Sequence, residues 1–277
     1  MPPISTISMS IISTIRLRLI ITTTVTLGLS SAFLSAAEPA TEAVGQSLDQ
    51  AASDPTASLT SYQIQDLYTG AYHQLDDEDG NTIQLRVAKP FSFAGVNNIA
   101  RATLPIITDS PSGASGLGDL TLFDLVVFSE SWGRWGIGPV MVLPTASDDR
   151  IGAEKWAIGP AAGFTVSYPG LLLGVFNQNL FSYAGVDQRR DVNVSILQPI
   201  VNYSLPDRWS VGLSEMNVTY DWESSRWANL PLGGKVSKLI KIRGIPTQLS
   251  GSYEYNFVDD QIAPKWTMNL TLKVLIP

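Results

Sequence analysis

The chain holds one histidine, His73, and no cysteine. Thiolate metal sites, cysteine nucleophiles and disulfide frameworks are therefore excluded together, and a histidine-rich metal centre lacks ligands. A membrane-embedded hydrolase would need His73 beside a serine nucleophile and an orienting group. His73 instead adjoins Gln74, Leu75 and an acidic turn, the setting of a solvated surface imidazole, and the chain is read as non-enzymatic. The runs Asp76-Asp77-Glu78-Asp79, Asp148-Asp149 and Asp259-Asp260 offer oxygen ligands for Ca²⁺ or Mg²⁺, but lack the spacing of a dedicated loop. They read as solvated loops, so no cofactor and no metal are expected. Asn-x-Ser/Thr matches at Asn193, Asn202, Asn217 and Asn269 fall in alternating segments, where polar faces generate them by chance.

A second group of polar residues is more informative. Arg86, Arg101, Lys155, Lys265 and Lys273 supply positive charge, Asp119, Asp124 and Glu254 negative charge, and Gln248 and Asn269 amides. They fall in predicted strands, the clearest of which alternate with period two, and alternation places one residue set on each face of a strand. Trp266, Met268, Leu270, Leu272, Val274 and Ile276 interleave with Lys265, Thr267, Asn269, Thr271 and Lys273. Tyr253, Tyr255 and Phe257 interleave with Ser252, Glu254 and Asn256, and Trp156, Ile158, Pro160, Ala162, Phe164, Val166 and Tyr168 with small or polar partners from Lys155 to Ser167. Twelve strands are predicted, at 60–73, 82–91, 96–108, 117–129, 134–145, 155–168, 170–183, 191–204, 208–222, 226–241, 244–257 and 264–277. The first is the weakest. In 191–204 and 208–222 the apolar phase slips by one residue, as a β-bulge would produce. Prolines at 90, 105, 139, 144, 160, 199, 231 and 246 each remove a ladder donor.

Long connections rich in Asp, Gly and Ser alternate with tight ones, the pattern of an up-and-down barrel in an outer membrane. All seven tryptophans fall near predicted strand ends, as in the aromatic girdles of both membrane interfaces, whereas a soluble sandwich would place some mid-strand. Charges and amides on the opposite face would be costly in a dry core and are ordinary in a wet lumen. The expected fold is all-β: a transmembrane antiparallel barrel of about twelve strands, with a secreted β-sandwich as the alternative.

Residues 1–37 carry only Arg16 and Arg18 before an apolar, Thr-rich run and Ser35-Ala36-Ala37, the organisation of a secretory signal peptide. Residues 38–59 are expected as a periplasmic linker with one helical turn, and 60–277 as the barrel. The formal charge of -7 and pI near 4.7 argue against nucleic acid as a partner.

Several short stretches, in order, resemble the meta-pathway phenol-degradation-like outer-membrane protein family, whose members are often labelled transporters. They include Asp54-Pro55-Thr56-Ala57, Arg101-Ala102-Thr103-Leu104-Pro105, Gly116-Leu117-Gly118-Asp119 and Gly152-Ala153-Glu154-Lys155-Trp156 with Gly159-Pro160. Leu197-Gln198-Pro199, Thr219-Tyr220-Asp221-Trp222, Leu230-Pro231-Leu232-Gly233 and Leu275-Ile276-Pro277 complete the series. The resemblance implies an outer-membrane barrel of a Gram-negative bacterium that passes small molecules, with aromatic or other hydrophobic carbon sources as candidate permeants. Outer-membrane lipid and lipopolysaccharide are the expected surroundings. The charged lumen residues then act as a wall that selects permeants, and prolines interrupting the ladder offer hydrophobic solutes a sideways exit. The alternative is a non-conducting structural or surface-binding barrel whose lumen charges pair and close it.

Overall fold

The computed structural model describes residues 46–276. The expected signal peptide, the first residues of the expected linker and Pro277 lie outside the described residues. Twelve antiparallel strands close into one barrel. They are β1 (Thr60–His73), β2 (Gly80–Phe93), β3 (Val96–Asp109), β4 (Leu120–Glu130), β5 (Gly133–Leu143) and β6 (Lys155–Tyr168), then β7 (Leu171–Gly185) and β8 (Asn193–Leu205). β9 runs in two pieces (Trp209–Leu213 and Val218–Asp221), as does β10 (Arg226–Asn229 and Pro231–Ile242), followed by β11 (Ile245–Asn256) and β12 (Ala263–Ile276). Each strand pairs with its sequence neighbours, and β12 pairs with β1 from Thr60↔Ile276 onward, so no edge is left unpaired.

The barrel is inside-out relative to a water-soluble protein. On β1, Tyr62 and Ile64 are 49% and 53% exposed while Gln63 and Gln65 are 3% and 6% exposed. On β6, Trp156, Ile158 and Phe164 face outward while Lys155, Ala157, Ala161 and Thr165 are buried. β1 looked weakest because its inward residues are glutamines and threonine, which are normal for a lumen wall. It forms a full strand, paired on both sides. The tight connections include Ala94-Gly95 and Arg243-Gly244, where both residues have positive φ, the backbone of a two-residue hairpin turn that matches strand twist. Aromatic rings cluster outside near both ends: Phe128 stacks on Trp135 at 4.3 Å at the tight-turn end, and Tyr220 packs edge-on against Trp222 and Trp227 at the long-loop end.

Two details of the strand reading change. No bulge occurs in β8, whose pairing with β7 runs without a shift from Leu171↔Tyr203 to Phe181↔Asn193. The apolar phase changes because the inward face itself changes, from Val194 and Ile196, packed on the apolar core, to the buried Asn202. In β9 the slip is real: Gly212 faces Asn202 and Val218 faces Leu197, so six steps on β9 span five on β8. The extra residue is taken up where the strand breaks, between Leu213 and Val218.

The prolines interrupt the ladder without opening the wall. Pro139 and Pro160 sit opposite each other across β5 and β6. β4–β5 pairing lapses between Phe123↔Val140 and Val126↔Ile137, and β6–β7 pairing between Ile158↔Phe181 and Ala161↔Gln178. A Cβ on Gly138 would lie 1.8 Å from the Asp124 carbonyl oxygen, and one on Gly159 would lie 1.9 Å from that of Asn179. The strands therefore stay in contact at both places, and the sideways exit expected there has no gap to use among the described residues.

The described part of the expected linker contains its helical turn, α1 (Leu48–Ser53). It docks against the tight-turn end of the barrel. Gln50 donates to the Tyr168 carbonyl at 3.0 Å, Ser204 donates to Asp49, and Ala52, Ala57 and Leu59 pack with Leu239 and Leu275.

Candidate functional site

The lumen has two unlike walls. From β3 to β8 the inward side chains form one apolar cluster, including Ile99, Phe123, Leu125, Leu172, Phe176 and Ile200, with Phe123 and Phe176 rings 5.4 Å apart. From β9 round to β1 the buried inward residues are mostly polar, among them Ser210, Ser237, Gln248, Asn269, Lys273, Gln63 and Gln65, with Leu239 and Leu275 apolar where α1 docks. Burial of the apolar wall stabilises the barrel, and the polar wall must find partners inside it.

Lys273 finds its partner among charges that meet across the lumen, whereas Gln63 Oε1, Ser237 Oγ, Gln248 Nε2 and Asn269 Oδ1 have none among the described residues. Arg86 on β2 donates through Nη1 to Glu215 Oε2 at 2.7 Å. Strands β1, β12, β11 and β10 lie between β2 and β9, so this pair spans the interior. Glu215 stands in the break of β9, where the chain leaves the ladder and can reach inward. Lys273 Nζ approaches its second oxygen at 3.5 Å and donates to the Ala52 carbonyl of α1 at 2.8 Å. Lys235 makes one hydrogen bond among the described residues, to Ser53 Oγ at 3.5 Å. Arg101 stacks on the Phe123 ring with its guanidinium carbon 4.0 Å from the centroid, and its buried Nε has no hydrogen-bond partner.

Two cavities flank the Arg86–Glu215 pair. One opens among Gln65, Asn217, Glu254, Lys265 and Asn269 toward the long loops. The other, the smaller of the two, is bounded by Arg101, Phe123, Lys235, Lys273 and the α1 segment. Arg86 and Glu215 line both and so form the waist between them. At the far end, Asp54 locks the α1 segment in place. Its carboxylate accepts from the Thr56 N–H at 2.8 Å and hydroxyl at 2.6 Å, from Thr165 at 3.0 Å and from Gln46 at 2.8 Å. Arg134 lies 3.8 Å away and donates to Gln46 at 2.8 Å.

Of the residues singled out in sequence, Arg86, Arg101 and Lys273 meet at the inner cavity, and Glu254, Lys265 and Asn269 share the outer one. Gln248 is buried on β11, where it pairs with Lys273 in register. Lys155 lies at the loop end in an ion pair with Asp191 at 2.8 Å. Asp119 lines neither of these two cavities; it accepts from the Ala146 and Ala153 N–H groups at 3.1 and 2.7 Å and pins the following long loop. Asp124 lies on the opposite face of β4 from the inward Phe123 and Leu125. Four participants were overlooked. Lys235 and Ser237 alternate with the outward Val236, a signal legible in the sequence. Glu215 had none, because a broken strand has no period. The α1 segment carried a short one, Ser47-x-x-Gln50, whose Ser47 N–H donates to Gln50 Oε1 at 3.1 Å as in a capping box.

No protein-family model and no curated protein matches the chain in sequence. Among solved structures it is similar to the COG4313 outer membrane channel from Pseudomonas putida F1, with TM-score 0.60, 16% identity, and 80% of this chain and 99% of that chain covered. More remote likenesses are outer membrane phospholipase A from Escherichia coli (TM-score 0.44, 11% identity, 79% and 92% covered) and a porin of Rh. blastica (TM-score 0.30, 11% identity, 79% and 99% covered). The first likeness establishes the fold, that of an outer-membrane barrel. The expectation of a non-enzymatic chain is corrected here: the fold that the first likeness establishes does not by itself exclude enzymatic activity. His73 Nε2 lies 2.9 Å from the Asn256 carbonyl oxygen, to which it donates, and its ring meets Tyr255 edge-on.

Proposed function

We propose that the protein is an outer-membrane channel or transporter for small solutes, exported by its N-terminal segment. Its route runs from the loop-side cavity past Arg86 and Glu215 to the α1-capped cavity. The observation that carries this reading is the waist: two cavities in line share Arg86 and Glu215, so what divides them is a pair of side chains, which can swing apart at far lower cost than backbone. The apolar wall beside this path supports permeants with hydrophobic bodies, in agreement with the family resemblance. The outward apolar belt supports contact with outer-membrane lipid and lipopolysaccharide. Planar-bilayer conductance and liposome swelling with the purified protein test the proposal. Steady current and solute flux above empty liposomes are expected; full insertion with neither would overturn it.

A second reading is favoured by the same ion pair together with α1: a barrel closed at waist and floor, with a structural or surface-binding role. Its signature is normal insertion without conductance, and loss of stability with no change in flux in Arg86→Ala or Glu254→Ala.

A further inference from the structure

The inner cavity carries more positive charge than its neighbours balance. Arg86, Arg101, Lys235 and Lys273 line it, and Glu215 answers two of them, Arg86 and Lys273. Asp54, also at its rim, is occupied by Thr56, Thr165, Gln46 and Arg134. Arg101 has no hydrogen bond and no ion pair among the described residues, and the contact of Lys235 with Ser53 Oγ is at the limit of hydrogen bonding. Cations held in an enclosed space with unused donors are costly. The guanidinium presents a planar fork that matches a carboxylate in two parallel bonds.

What surrounds these cations is apolar. Arg101 lies on the Phe123 ring, with Phe176 5.6 Å from its guanidinium carbon, and Ile99, Ile200 and Leu213 complete that side. A bare inorganic anion would leave this wall facing water, and a neutral solute would leave the cations unanswered.

We propose that the inner cavity is a binding site for a small organic carboxylate with a compact apolar body. Its carboxylate lies between Arg101 and Lys235, and its body rests against Phe123, Ile99 and Ile200. The proposal rests on the channel reading, because it makes this site the selective station of the route. An anion arriving through the outer cavity meets Arg86 first and competes with Glu215 for it, so binding also loosens the waist.

Titration calorimetry on the full-length purified protein in detergent tests this, with benzoate, benzyl alcohol and inorganic phosphate as probes. Benzoate is expected to bind about tenfold or more tighter than either, and Arg101→Gln to weaken it about as much, as expected when a charged hydrogen bond is lost. Lys155→Gln, far from the cavity, should leave it unchanged. If Arg101→Gln does not fold, Lys235→Gln carries the same expectation. Equal binding of benzoate and benzyl alcohol, phosphate binding as well as benzoate, or unchanged binding in the folded variant would each overturn the site. Saturable benzoate binding in a protein that conducts nothing would overturn the channel reading and leave the site standing, whereas conductance without benzoate binding would do the reverse.

Discussion

Glu215 holds two cations at once, Arg86 at 2.7 Å and Lys273 at 3.5 Å, and among the described residues is the one carboxylate in an ion pair with the cationic group at the waist. Glu215→Gln keeps the shape and removes the charge, leaving positive side chains to repel one another. Stability is expected to fall by about 1–3 kcal/mol, less than for a dry buried pair because lumen water screens the charges. The ion preference should shift toward anions. Thermal unfolding in detergent and the reversal potential under a salt gradient measure both; a variant unchanged in each would show that these charges act independently. At the loop end, Asp191 accepts from Lys155 Nζ at 2.8 Å and from the Ser182 hydroxyl at 3.0 Å. The ammonium's hydrogen bond, then the hydroxyl's, holds the Asp191 carboxyl below the ordinary carboxylate range. A group depressed in the folded state contributes stability above its ordinary pKa and loses it as pH falls through the folded value. Asp191→Asn should therefore be slightly less stable than the parent at neutral pH, with the difference closing as pH is lowered from about 5 to about 3. A pH-independent difference between the two melting curves would show that the pair does not contribute in this way.

Among the elements, α1 depends most on its surroundings. A six-residue helix has no stability of its own, since nucleation outweighs so few hydrogen bonds; Gln50, Asp54 and the packing of Ala52 hold it. Asp54→Ala removes the acceptor shared by Thr56, Thr165 and Gln46, at about 1–3 kcal/mol for each donor left buried and unpaired. The segment should undock from the barrel floor, seen as faster proteolysis within residues 46–59 and a larger open-state current. Equal proteolysis and equal current would mean that α1 does not seal the barrel. The Ser47–Gln50 pattern was visible in the sequence, but its docking was not, because the partners Tyr168 and Thr165 lie more than a hundred positions along the chain. The break in β9 was legible only as a phase slip. That it carries Glu215 inward follows from the position of β2 across the barrel.

At the scale of the whole molecule, the outer surface decides the solvent. Leu270 lies mid-strand on β12 and is 68% exposed. In a bilayer, Leu270→Arg places a charge near the midplane and should cost about 2–4 kcal/mol, measured as reduced folding into vesicles and a lower denaturation midpoint. In water the same change would be nearly neutral, so an unaffected variant would remove the membrane placement. Strand number, strand windows and the outward set Met268, Leu270, Leu272 and Ile276 were legible in the sequence. The face a side chain takes is a local consequence of the extended backbone, and it repeats every second residue. The apolar half of the lumen was not legible, because inward Phe123, Leu125 and Phe176 interrupt the rule that polar residues point inward, and only their packing on one another identifies that wall. Nor could the sequence say which inward residues meet. Arg86 and Glu215 stand 129 positions apart, and Lys273 and the Ala52 carbonyl 221. The sequence by itself determined the strands and most of their two faces. Closure of the ring decided which strands oppose each other across the lumen, because that depends on strand stagger and tilt, properties of the assembled sheet that no single strand encodes.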